Sequence, residues 1–362
     1  MKRCLFALYL LLVYGAAIAQ PAPPFKAGDT VNYSLVYGLA VKGEIPAALA
    51  YLDSVDVYRE TDQAFKKAFE DRFKFESDRS LQPINSDTPL HALHRIFQQY
   101  WRSGLLHGAQ NFDSSLLQDV LLFLQQQNQR SPFTHTTISP RTLPSAFQSF
   151  VRSNGYQCTD LGKTGKFYDF IAWKESTPKT YTIALTRDSI TVTVNFLSDF
   201  VSLGWLEYSR LGNYYPGGWA TKDSLYCVAK GYDTTSERFR IHFLSHEGQH
   251  FWDYSHFPEL ASNDLEYRAK LVEIYRSEKD LYTLLEKFML NAKNDKTNAH
   301  PFANYCLMRN LSRLLGRTGW KFNGEGWKTV PTQQLRQAAL QLLEEHTEAL
   351  EKQGKDVTTV LF

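Results

Sequence analysis

The sequence predicts an α+β chain, and three observations carry that reading. From about Asp29 to Asn128 apolar residues recur at helical spacing, with few strand-like runs. Thr180 to Leu185 and Ser189 to Leu197 then alternate polar and apolar residues and are rich in β-branched side chains. From Thr234 onward the pattern is helical again almost to the end. Helices, a small antiparallel sheet and further helices are the expected order.

Residues 1–19 read as a cleavable signal peptide. Lys2 and Arg3 form a basic start, Cys4 to Val13 an apolar run, and Ala17-Ile18-Ala19 a small-residue cleavage site before Gln20. The run is too short to span a bilayer comfortably, and no later segment is apolar for long enough. The expectation is export to a secreted or periplasmic location, without membrane association after cleavage.

Residues 20–140 form the first region. Gln20 to Pro24 is an extended linker. Val31 to Val41 and Ile45 to Leu52 are two helices joined by Lys42-Gly43-Glu44, with Pro46 in the first turn of the second, where its missing N–H costs nothing. The pair resembles one hairpin of a tetratricopeptide-like solenoid, although no second copy recurs at a fixed period. Further helices are expected over Asp62 to Phe75, Pro89 to Trp101 and Ser114 to Gln127.

Residues 141–362 form the second region. It opens with a helix over Thr142 to Asn154, closed by Gly155 in the C′ position. The two alternating segments are joined through Thr186-Arg187-Asp188 as a hairpin. Tyr215-Pro216-Gly217-Gly218-Trp219-Ala220 and a strand over Ser224 to Lys230 follow. Helices are then expected over Thr235 to Tyr254, Asn263 to Ser277, Asp280 to Ala292, Pro301 to Leu315 and Thr332 to Lys352. Thr234 and Glu237 have the spacing of a capping box for the first of these.

Charge excludes one class of partner. With Lys2 and Arg3 removed, the 40 basic residues become 38, equal to the 38 acidic ones. A neutral chain without a Lys/Arg cluster has no electrostatic footprint for nucleic acid. Cys158, Cys227 and Cys306 remain after cleavage and lack CxxC spacing, which argues against a cysteine zinc site. One disulfide with one free thiol, or buried unpaired cysteines, both fit their number.

The chemistry concentrates in His246-Glu247-Gly248-Gln249-His250. Histidines at i and i+4 leave a helix from one face, one turn apart, and two imidazoles so placed reach a single tetrahedral zinc. Glu247 sits about 100° round the helix. It therefore reaches a metal-activated water without being a ligand, and its carboxylate is suited to general base work on an attacked carbonyl. Phe243 and Leu244 before the motif, and Phe251 and Trp252 after it, supply apolar surface for the core. Gly248 weakens the helix by roughly 1 kcal/mol relative to Ala, which close approach of a neighbouring backbone would offset.

On these residues the chain resembles the zincin metallopeptidases, and among them the gluzincins. The resemblance covers roughly Tyr181 to Leu315 and rests on HEGQH, the sheet before it and a glutamate-bearing helix after it. It implies zinc held by His246, His250 and a Glu of the next helix, with Glu247 as general base and a peptide or protein as substrate. Glu266, in LEYRAKLVE, is the residue matched to the third ligand, and Ala269 three residues on lets the two helices approach. Fifteen residues separate His250 from Glu266 in the chain, fewer than in the best-known gluzincins, so Glu273, seven further on and on the same face, stands as the substitute. Glu259 falls in a loop after Pro258.

His256 offers a different third ligand, six residues after His250 as in the metzincins. Asp253 stands where that family turns on Gly, and Met289 and Met308 both lie in helical patterns rather than in a Met-turn. The resemblance further implies that Tyr215 to Ala220 is an edge strand that binds an extended substrate, with two glycines for close backbone approach. The segment lacks the acidic residue that zinc aminopeptidases place beside this strand, which points to an endopeptidase. His300 and Tyr305 are candidates for stabilising an oxyanion. His242, one turn before His246, is expected in the core or supporting a ligand. A non-catalytic binding protein with a structural zinc, and a zinc hydrolase of a non-peptide amide or ester, are the alternatives.

Overall fold

A computed structural model describes residues 31–55, 59–81, 88–130, 137–221, 223–317 and 324–361. The expected signal peptide and linker lie outside these residues. The chain forms a mixed α+β structure: helices, a five-strand curled mixed sheet, then helices again. It divides into two compact units. One holds the described residues up to Ser176 together with Leu197–Pro216; the other holds Thr177–Phe196 and the residues from Gly217 onward.

In the first unit the helices are α1 (Tyr33–Lys42), α2 (Ile45–Asp53), α3 (Glu60–Phe73), α4 (Pro89–His107), α5 (Asp113–Arg130) and α6 (Leu143–Ser153). Gly43 ends α1 in the left-handed region at φ 78°, so that its own N–H and that of Glu44 turn back onto Ala40 O and Leu39 O. The chain can then reverse directly into α2. Asn154 and Gly155 close α6, with Gly155 at φ 82° as its sequence position requires. Helix α4 runs six residues beyond the expected end at Trp101, because Gly104 and Leu105 extend its buried stripe to the stop at Gly108. Aromatic rings fill this core: Phe97 stacks on Phe170 at 5.2 Å between centroids, and Phe147 meets Phe170 edge-on.

The sheet order is β1 (Gln157–Cys158), β4 (Ile171–Ala184), β5 (Ser189–Leu203), β7 (Leu225–Val228) and β6 (Gly218–Ala220), with β2 (Lys163–Thr164) and β3 (Phe167–Tyr168) as a separate ribbon. A turn closed by Leu185 N–H on Asp188 O joins β4 to β5, where the hairpin is expected. Both strands are longer than their alternating segments. Ile171, Ala172 and Trp173 are buried in succession, so that end of β4 carries no polar–apolar alternation to read. The sheet is mixed rather than purely antiparallel. After β5 and the short helix α7 (Trp205–Ser209), the chain lays down the edge strand β6 first and returns with β7 between β6 and β5.

In the second unit a π-helical segment (Arg238–Ser245) runs directly into α8 (His246–His256), followed by α9 (Ser262–Arg276), α10 (Leu281–Leu290), α11 (Ala299–Leu314), α12 (Gly324–Trp327) and α13 (Thr332–Gln353). Val192, Val194 and Phe196 of β5 turn one face of the sheet onto Phe239, Phe243 and Leu244. A second apolar cluster joins α9, α10, α11 and α13 through Leu271, Ile274, Leu285, Phe302, Leu307, Leu311 and Leu343. Helix α9 is thereby buried along nearly its whole length, charged residues included. Cys158, Cys227 and Cys306 are free thiols, so no disulfide joins them. No helix among the described residues is long and apolar enough to cross a membrane.

Candidate metal centre

HEGQH forms the first turns of α8, and what precedes it differs from the plain α-helix that its spacing predicts. Over Arg238–Ser245 the backbone is π-helical: His246 N–H reaches back five residues to Ile241 O, and Ser245 Oγ donates to Arg240 O at 2.8 Å. An α-helix drifts 40° over four residues, whereas the wider coil brings residues four apart closer to one line. Phe239 and Phe243 stack at 5.6 Å, and His242 and His246 face the same carboxylate.

The expected capping box does not form. Glu237 turns away and accepts hydrogen bonds from Ser277 Oγ, Glu278 N–H and Lys279 N–H beyond the end of α9. Ser236 caps the segment instead, its Oγ accepting from Phe239 N–H at 3.2 Å.

Gly248 is the site of an unusually close contact. A Cβ there would lie 2.7 Å from Ile183 Cδ1 of β4, so the glycine lets α8 sit against the sheet. The neighbour is a side chain and not the backbone expected from sequence. Gly218 of β6 is similarly pressed: a Cβ would meet Tyr226 O at 2.2 Å and the Phe243 ring at 2.5 Å. Its lack of a side chain therefore serves the packing of β6 in the unit's interior. Strand β6 does stand at the sheet edge and packs beside α8, where the edge-strand expectation puts it, and all three of its residues are buried.

His246 and His250 project together, with their Nε2 atoms 3.1 Å apart. Glu266 of α9 completes the group. Its Oε1 lies 3.4 Å from His250 Nε2 and its Oε2 3.8 Å from His246 Nε2. All three residues are at most 1% exposed, and one ligand atom from each lies within 4.8 Å of the others. Two donors about 2.05 Å from one tetrahedral zinc stand roughly 3.3 Å apart, so this spacing suits a single small cation.

The surroundings of the three donors match their use as ligands. His246 Nδ1 is 2.7 Å from Glu273 Oε1, which makes Nδ1 the protonated nitrogen and leaves the Nε2 lone pair facing the cluster. Glu273, the substitute third ligand, thus stands behind His246 instead of beside the metal position; its Oε2 takes His242 Nδ1 at 2.7 Å. His300 Nδ1 lies 2.7 Å and Lys270 Nζ 3.6 Å from Glu266 Oε2. Among the described residues, neither oxygen of Glu247, neither oxygen of Glu266 and not His250 Nδ1 has a hydrogen-bond partner, so Lys270 and His300 meet Glu266 as close neighbours only.

The electrostatics follow from burial and these neighbours. Burial would raise Glu266, but His300, His250 and Lys270 outweigh it and hold the carboxyl well below the usual range. For Glu273 burial is outweighed by the bonds from His242 and His246, which bring it to about 2. Burial lowers His246 against the pull of Glu273. In His250 burial acts downward as well, yet the Glu266 carboxylate prevails and the net direction is up. Glu247 has no such compensation, and burial pushes it up to about 8. Glu247, Glu266 and Glu273 are three carboxyl groups beside the single ammonium of Lys270, all at most 5% exposed. With neutral imidazoles and Glu247 holding its proton, the Glu266 and Glu273 carboxylates exceed Lys270 by one negative charge, which favours a bound cation.

Other residues singled out from sequence lie elsewhere. His256 is exposed, stacked on Trp252 at 3.8 Å, with Nδ1 2.8 Å from both Ser255 Oγ and Trp252 O. It does not join the cluster, and Met289 and Met308 are buried in α10 and α11. Glu259 is exposed in the turn after Pro258. Tyr305 packs against Phe302 and the apolar cluster of α11. His300 does reach the site, but as a partner of Glu266.

Lys270 was not foreseen. Its signal is the run Glu266, Lys270, Glu273 at i, i+4 and i+7, which puts three charges on one face of a helix that the core then covers. Comparison with protein-family models, with curated proteins and with solved structures gave no match.

Proposed function

We propose that the chain is an exported zinc-dependent peptidase, acting as an endopeptidase on peptide or protein substrates, with Glu247 as its general base. The observation that carries this reading is the Glu247 carboxylate, buried and without a hydrogen-bond partner among the described residues, one position from a three-donor His/His/Glu group. Three protein ligands leave one place open on a tetrahedral ion, which is the composition of a catalytic zinc site; purely structural sites use four.

His246 Nε2, His250 Nε2 and Glu266 would hold the ion. Zinc supplies Lewis acidity there, to polarise a carbonyl and acidify water. The chain's own groups do the rest. Glu247, with a proton affinity near neutrality, takes a proton from the attacking water and returns it to the leaving amine nitrogen. Glu273 keeps the His246 ring in the tautomer that offers Nε2. The amino-terminal basic and apolar run supports export.

One observation favours a second reading, a structural zinc in a non-catalytic binding protein: every member of the triad is buried. Metal content and hydrolysis of a mixed peptide library separate the two. The peptidase reading expects zinc in the parent protein, none in His246→Ala, and retained zinc without hydrolysis in Glu247→Gln. Zinc in the parent with no cleavage of any peptide would leave the structural reading standing. A parent that binds no zinc would remove both.

A further inference from the structure

Lys270 is the group in this cluster that neither ligation nor proton transfer requires. It is 2% exposed, and its Nζ has Glu266 Oε2 at 3.6 Å and the Phe288 ring centroid at 4.9 Å. Taking an ammonium out of water is costly, and methionine would fill the same space without that cost. A charge kept there calls for a purpose in the site itself.

The two oxygens of Glu266 have different surroundings. Oε2 faces two nitrogens from outside the ligand triad, Lys270 Nζ and His300 Nδ1 at 2.7 Å, besides His246 Nε2 at 3.8 Å. Oε1 faces His250 Nε2 at 3.4 Å. A carboxylate with both oxygens free can grip a divalent cation with both, since carboxylates ligate in one- and two-oxygen modes. Two-oxygen binding would fill the position that water or substrate needs.

We propose that the charge of Lys270, with His300 beside it, draws on Oε2 of Glu266 without a formed hydrogen bond and so biases this ligand to one oxygen, keeping the fourth metal position open at the cost of metal affinity. Lys270 is thus a positioning residue, acting through Glu266. Its positive charge also weakens the site's hold on a cation, in the same direction as the geometric effect. This inference rests on the metal reading of the same site.

The test measures Zn2+ affinity by competition with a chelator, and coordination by the visible spectrum of the Co2+ form, in the full chain. Lys270→Met is expected to bind Zn2+ at least about tenfold more tightly than the parent, as removal of a nearby like charge and release of an oxygen ligand both require. Its Co2+ spectrum is expected to move from the four-coordinate pattern toward higher coordination, while peptide turnover falls. Lys270→Arg, which keeps the charge, is expected to retain an affinity near the parent's, and His300→Ala to shift toward Lys270→Met. A merely structural lysine predicts the opposite: Lys270→Met would weaken metal binding or leave it unchanged, and either result overturns the proposal. Should Lys270→Met fail to fold, an unchanged spectrum and affinity in His300→Ala would overturn it equally. A parent that binds no Zn2+ is a different failure, that of the metal site.

Discussion

The helices α8 and α9, which carry the candidate His/His/Glu group, are tied together at two places, and cutting one of them gives the sharpest stability test. Glu273 holds the side of His246; beyond His250, Asp253 of α8 meets Arg268 of α9. Arg268 Nε lies 2.9 and 3.0 Å from the two Asp253 oxygens, and Gln249, inside HEGQH, donates to Asp253 Oδ1 at 2.9 Å. Arg268 also donates to Thr347 Oγ1 of α13 at 2.9 Å. Both charges are out of water, Asp253 fully and Arg268 at 1% exposure.

Replacing Arg268 with Met leaves the Asp253 carboxylate buried with only the Gln249 amide. Thr347 keeps its bond to Leu343 O, so the loss concentrates on Asp253. Breaking one side of a buried pair costs about 3–5 kcal/mol, a large part of the roughly 5–15 kcal/mol that holds an ordinary domain together. Removing both partners, as Asp253→Leu with Arg268→Met, costs less than the single change. Beyond the His346 Nδ1 contact of Arg268 at 3.4 Å, which the single change loses as well, it strands only the Gln249 amide, at about 1–3 kcal/mol, and apolar replacement of a buried pair is often neutral. Urea unfolding followed by circular dichroism measures Arg268→Met, Asp253→Leu and the double variant. A single variant within about 1 kcal/mol of the parent, or a double variant as unstable as the sum of the singles, would refute the assignment of this pair as a buried brace.

Two further outcomes follow from single contacts. Gly248→Ala gains about 1 kcal/mol of helix propensity but forces Ile183 aside, at about 1–3 kcal/mol; the variant should be less stable, and Ile183→Val, which removes the clashing Cδ1, should recover most of the loss in the same background. A stabilised Gly248→Ala would show that β4 does not press on α8. In the first unit, burial raises the Asp169 carboxyl to about 6, although Thr164 Oγ1 and the N–H groups of Phe170 and Trp205 donate to it. The folded chain therefore holds this proton more tightly than the unfolded one. The associated stability is full below pH 3.8 and falls by about 3 kcal/mol as pH rises through 6. Asp169→Asn can keep the two backbone donors on its carbonyl oxygen without titrating. Relative to the parent, its stability should improve between pH 4 and 7, and a pH-independent difference would count against a raised Asp169.

What could be read from the chain alone was local. The pairing of His246 with His250 is a matter of helical period, as is the offset of Glu247, and the start of β5 with its alternating Val192, Val194 and Phe196 is a matter of the strand's period of two. Gly43 and Gly155 mark helix ends because only a left-handed residue lets those ends close. Glu266 was matched through a resemblance, and the packing of α9 brings it to the two imidazoles.

Tertiary structure decided everything that depends on how one element is turned against another. A helical pattern states which residues share a face but not what that face meets. Glu273 therefore stood in sequence as a substitute for Glu266, and only the rotation and depth of α9 set Glu266 beside the two imidazoles and Glu273 behind His246. Lys270 and His300 belong to the site because α9 and the start of α11 converge there. The π-helical segment was equally hidden, since its residues suit an α-helix; in the fold Glu237 bonds to the end of α9 and Phe239 stacks on Phe243. Periodicity is a property of neighbours along the chain, whereas a buried charge cluster exists only where distant segments exclude water together.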